Sequence, residues 1–119
     1  YDAACKLVIM ANHVLGLRAT FKDVRIEGIR GVTQEAIQGA VKRGNAVKLI
    51  ASIEKELRVS PAEIPRTSPL CVGGTLNAVT FRAQYTGEHT LIGKGAGGVE
   101  TAGAILRDLL SIKKELLER

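Results

Sequence analysis

Aromatic side chains are nearly missing from this chain: they form 3% of its 119 residues, and Trp is absent. Base-stacking nucleic-acid platforms need exposed rings, so that class is disfavoured. Long apolar runs are missing as well. The longest, Leu7 to Ala11, falls far short of the roughly 20 residues that cross a bilayer. Cysteine is limited to Cys5 and Cys71, without metal-ligand spacing or a partner motif. Both sit in apolar company and read as small buried hydrophobes in a reducing, cytoplasmic setting. His13 and His89 are isolated, so no metal site is expected. A charge excess of one sign does exist, at +5, but acids interleave it, as in Lys113-Lys114-Glu115. That pattern describes a solvated mixed surface with a mild attraction for anionic small molecules. The chain begins at Tyr1 without Met or a leader and reads as a piece of a longer protein.

What is present is enough apolar sequence, 45%, for one domain over residues 1–119 with its own core. Asp2 to Leu15 reads as a buried helix, apolar nearly all round, with Asp2 as N-cap and Gly16 as its stop. Phe21 to Gly31 suggests a short extended segment and a turn. Thr33 caps a second helix that Gly44 ends. Val47 to Glu54 alternates as a strand, and Leu57 to Val59 returns, closed by Pro61. Ala78–Tyr85 and His89–Ile92 flank Gly87 and should pair antiparallel. A long amphipathic helix follows from Ala102 to Leu117. Hairpin spacing without β-α-β crossovers predicts an α+β fold: helices on one face of a mainly antiparallel sheet, the other face available for dimerisation.

Gly93-Lys94-Gly95-Ala96-Gly97-Gly98 spells G-x-G-x-x-G, the dinucleotide fingerprint. A Rossmann unit needs a second strand after the helix, and this helix runs almost to Arg119. Two narrower readings stay open. The stretch is a tight strand-to-helix turn, or it brings bare backbone and free N–H groups to an anionic ligand. Lys6 also stands out, because Ala3 to Ala11 is otherwise apolar. Asp2 lies one helical turn earlier. The pair is either a stabilising surface ion pair or a lysine held in a pocket for proton transfer.

Four stretches occur in one order: Asp2-Ala-Ala-Cys-Lys6, Pro69-Leu70, Gly74-Thr-Leu-Asn77-Ala78-Val79 and Gly93-Lys-Gly-Ala-Gly-Gly-Val-Glu-Thr101-Ala102. With Asp23 to Lys48, they closely resemble the catalytic domain of homoserine dehydrogenase across essentially the whole chain. The resemblance implies an NAD- or NADP-dependent oxidoreductase of threonine and methionine biosynthesis that interconverts L-homoserine and L-aspartate 4-semialdehyde. It implies Lys6 as proton donor and acceptor at the substrate oxygen. Asp2 would help hold substrate and lysine, and Gly97 would contact the cofactor. It also implies an upstream dinucleotide-binding domain, a further acidic substrate ligand before Asp2, and a homodimer. The 119 residues alone are then expected to be inactive. A non-enzymatic dimerisation or anion-binding module is the competing reading; it has no need of an ammonium at position 6. Asn77, Pro69 and Gly74 read as loop and strand-entry geometry.

Overall fold

In the computed structural model, which describes residues 1–118, the chain forms two compact units: Tyr1–Ser68, and the stretch from Pro69 onward. The first unit contains helix α1 (Asp2–Leu15), strand β1 (Val24–Ile26), helix α2 (Gln34–Lys42) and strands β2 (Asn45–Ile53) and β3 (Leu57–Pro65). Short 3-10 turns at Phe21–Asp23 and Ile29–Gly31 flank β1. The second unit contains strands β4 (Leu76–Ala83) and β5 (Gly87–Lys94) and helix α3 (Gly98–Leu117).

Local chemistry sets most boundaries. Helix α1 starts one residue earlier than a cap at Asp2 would place it. Tyr1 occupies the cap, and Asp2 lies in the first turn, where the helix dipole favours a carboxylate. Gly16 ends α1 in the left-handed region, at φ 66°. Thr33 Oγ1 accepts the Ala36 N–H at 3.2 Å and caps α2 as expected. Gly87, at φ 77°, makes the turn into β5.

Strand order in the first unit is β1-β3-β2. β2 and β3 pair antiparallel from Asn45↔Pro65 to Ile53↔Leu57. β1 pairs with β3 in parallel, Val24↔Leu57 to Ile26↔Val59. This corrects the expectation of no crossover: the chain leaves β1, passes through α2 and β2, and returns beside it. Three residues are too few for periodicity to reveal a strand's direction or partner.

Pro61 was expected to close β3, yet the strand continues to Pro65. The reason is geometric. Val59 accepts a hydrogen bond from the Glu27 N–H at 2.7 Å, so its polar groups face β1. Pro61 and Pro65 share that alternation, and β1 ends opposite Val59. Their missing N–H groups therefore fall on an open edge, where the ladder needs no donor.

Residue alternation builds the core. Val24, Ile26, Ile53, Leu57 and Val59 lie on one sheet face and pack with Ala3, Ala4, Leu7 and Val8 of α1. Val59 is 2% exposed, and burying such a side chain contributes about 1.5–3 kcal/mol. Val47 and Leu49 continue the same face and line a shallow cavity with Ile37 of α2 and Pro61. Both helices of this unit thus share one sheet face. Ala46, Lys48, Ile50 and Ser52 of β2 alternate onto the other, beside Arg58, Ser60, Ala62 and Ile64 of β3. The architecture is the α+β, mainly antiparallel arrangement expected, divided here between a three-stranded and a two-stranded sheet. Helix α1 is less buried than its composition suggested: Ala4, Leu7 and Ala11 are inside, while Ile9 is 65% exposed. Cys5 is exposed and Cys71 half-buried, so neither is the fully buried hydrophobe expected. No helix among the described residues is long and apolar enough to cross a membrane.

Candidate active site

The exposed side of α1 presents the first element. The period of 3.6 residues sends Ala4, Leu7 and Ala11 into the core and leaves Asp2 and Lys6 stacked outside. Lys6 Nζ lies 2.8 Å from Asp2 Oδ2. The hydrogen bond and charge of Lys6 hold the Asp2 carboxyl below its usual range. The lysine side chain is 67% exposed. Its apolar sequence neighbours point elsewhere, so the pocket imagined around it is not formed by this unit. What the fold supplies is an ammonium fixed by one carboxylate, with the rest of its surface open to a ligand.

The glycine loop is the second element and belongs to the second unit. β4 and β5 pair antiparallel from Leu76↔Lys94 to Ala83↔Gly87. The ladder runs into the loop, where Gly95 N–H donates to Thr75 O at 3.3 Å. Gly97 caps α3 at φ 133°, ψ 151°, a region that side chains rarely adopt. The first helical bond runs from the Thr101 N–H to Gly97 O at 3.0 Å. At Gly97 the backbone angle requires glycine, and side-chain ends crowd the space beside it. A Cβ at Gly97 would run into the Glu100 carboxylate, and one at Gly95 into the Asn77 carboxamide. A Cβ on Gly93 or Gly98 would meet nothing. Bare main chain is thus presented at the strand-to-helix junction, which suits a flat ligand pressed against backbone.

The structure brings Asp2 and Lys6 together and sets Gly97 in the other unit. Glu100 and Asn77 are additions. Asn77 was read as strand-entry geometry, and it stands opposite Gly93 in the ladder with its side chain against Gly95. Glu100 had a signal: an acid in the first turn of a helix, where the dipole favours negative charge. A further polar cluster lies away from these residues. Arg43 clasps Glu63 through Nε–Oε1 at 2.9 Å and Nη2–Oε2 at 2.7 Å, and Asn45 Nδ2 donates to Glu63 Oε1 at 2.7 Å. These bonds draw the Glu63 carboxyl down to about 2 and tie the end of α2 to β3.

The chain is similar to known proteins along most of its length. The homoserine dehydrogenase family model matches residues 1–110. The homoserine dehydrogenase of Methanocaldococcus jannaschii is 46% identical over 112 residues, covering 93% of this chain and 33% of that protein. That of Helicobacter pylori is 34% identical, covering 96% of this chain and 28% of its own length. Among solved structures, a putative homoserine dehydrogenase from Archaeoglobus fulgidus superposes with a TM-score of 0.83 at 45% identity, covering 93% of this chain and 35% of that one. The chain spans about a third of the length of these relatives. Matched along almost its whole length in sequence and in fold, the chain belongs to the homoserine dehydrogenase family.

Proposed function

We propose that this chain is the catalytic and dimerising part of a nicotinamide-dependent homoserine dehydrogenase, interconverting L-homoserine and L-aspartate 4-semialdehyde in the cytoplasm. The observation that carries the reading is the Asp2–Lys6 pair, 2.8 Å apart on the open side of α1, within a chain of this family. When bound, NAD(P)H supplies a hydride to the aldehyde carbon and NAD(P)+ takes one from the alcohol carbon. As the carbonyl π pair moves onto oxygen, the Lys6 ammonium opposes the growing negative charge and gives that oxygen a proton. Lys6 is left as a neutral amine. In the oxidative direction the neutral amine removes the hydroxyl proton. Asp2 holds Nζ in place so that its remaining N–H groups point outward.

The bare backbone at Gly97 is the contact for the nicotinamide end of the cofactor. A dinucleotide-binding domain of the whole enzyme holds the remainder. The face of the β1-β3-β2 sheet carrying Ile50, Ala62 and Ile64 is the surface that pairs with a second copy.

The intact enzyme, followed by cofactor absorbance during homoserine oxidation, tests this. Lys6→Ala should lower kcat by about 10²–10⁴-fold, the usual contribution of a positioned acid–base group. Equal rates in both proteins would remove Lys6 from the proton transfer. Absence of turnover in the unmutated enzyme with either cofactor would favour the binding module. The 119 residues alone should show negligible turnover.

A further inference from the structure

A glycine loop at a helix N-terminus ordinarily favours negative charge, because first-turn N–H groups converge there. This loop carries charges of both signs: Lys94 stands among its first glycines, and the half-buried Glu100 follows its last in the first turn of α3. From the third position of α3 it reaches back so that its carboxylate fills the direction in which a side chain would leave Gly97. Whatever presses on Gly97 therefore abuts a carboxylate. A phosphate is a poor match for that spot, and a cationic ring is a good one.

We infer that Glu100 discriminates between cofactor redox states, its carboxylate favouring the oxidised, cationic nicotinamide ring at Gly97 over the reduced, neutral one. The inference rests on the proposed contact between Gly97 and the nicotinamide end. The phosphates and ribose are the same in both forms, so their contributions cancel in the ratio of affinities. The ring charge does not cancel. The effect of Glu100 on the α3 dipole cancels too, because it acts before either form binds. A partly exposed charge pair of this kind is worth about two- to fivefold in affinity.

The experiment measures dissociation constants of the intact enzyme for the oxidised and reduced forms of one cofactor, by calorimetry and by fluorescence of the reduced ring. Glu100→Gln should lower the ratio Kd(reduced)/Kd(oxidised) by about two- to fivefold, and Glu100→Asp, which keeps the charge, should retain part of it. In the unmutated enzyme the same ratio should shrink as salt rises from about 0.05 to 0.5 M, since exposed charge pairs are screened. That second measurement stands even if a variant folds poorly. A ratio unmoved by both Glu100→Gln and salt would leave Glu100 as a first-turn acid facing the α3 dipole and overturn the inference while sparing the proposed function. Failure of the unmutated enzyme to bind either form would overturn the function, and this inference with it.

Discussion

The two units of this chain are stabilised in different ways. Among the described residues, every buried apolar side chain lies in the first: Ala4, Leu7, Ala11, Val24, Ala40 and Val59. The second has none. Its hairpin is held by a backbone ladder, a Thr80–Thr90 hydroxyl pair at 2.8 Å and the Arg82–Glu88 ion pair at 2.9 Å. Helix α3 leaves Ile105, Leu106, Leu109 and Leu110 each more than half exposed. A two-stranded hairpin or a lone helix is marginal in water. Regular secondary structure and a buried core are therefore separate achievements: one unit has both, and the other has the first alone. The division also separates the candidate chemistry. The Asp2–Lys6 pair stands on the packed unit, and the Gly97 loop on the unpacked one.

The sharpest way to break this comparison is to truncate matched leucines. Leu7→Ala, in the core, should destabilise the first unit by about 2–5 kcal/mol, because it removes buried methyl groups and leaves a cavity. Leu109→Ala, on the exposed side of α3, should cost this chain well under about 1 kcal/mol. Urea denaturation of both variants checks the contrast; equal losses would mean that α3 packs as tightly as α1.

A smaller effect sharpens the glycine loop. Gly97→Ala should cost about 1–3 kcal/mol from its backbone angle and weaken cofactor binding by the intact enzyme. Gly93→Ala meets open space at an ordinary φ and should be nearly silent. Comparable penalties at the two positions would show that the loop has no special point at Gly97.

The smallest effect concerns the tie between α2 and β3. The Glu63 carboxyl titrates near 2 against a usual 4.5, held down by Arg43 and Asn45. The folded value is depressed, so the stabilisation is complete above pH 4.5 and disappears as pH falls toward 2. In Arg43→Ala the Glu63 midpoint, followed by carboxyl carbon NMR, should rise toward 4.5. An unmoved midpoint would assign the shift to Asn45 instead.

Short-range order was legible before any packing was known. The glycine stops at Gly16 and Gly87 and the Thr33 cap act within a turn of their own residue, so the elements they delimit follow from neighbours in the chain. The hairpin from Leu76 to Lys94 needs only alternation and a turn. The Asp2–Lys6 pair needs only helical spacing. The open readings and the misreadings involve distant partners. Lys6 left two readings open, a surface ion pair or a lysine in a pocket, because its sequence neighbours are apolar; packing against β1, β2 and β3 decides which side of the helix faces out, and the pair lies there. Pro61 looked like a stop because its missing donor matters only if a strand lies on that side.

By itself, then, the sequence determined the helices, the hairpin, the glycine junction and the family pattern, since each depends on contacts a few residues long. Tertiary structure decided the parallel pairing of β1 with β3, the open edge that admits Pro61 and Pro65, and the outward position of Lys6. Those features depend on which surfaces meet across 30 or more residues, as when Val24 pairs with Leu57, and no local preference encodes that choice.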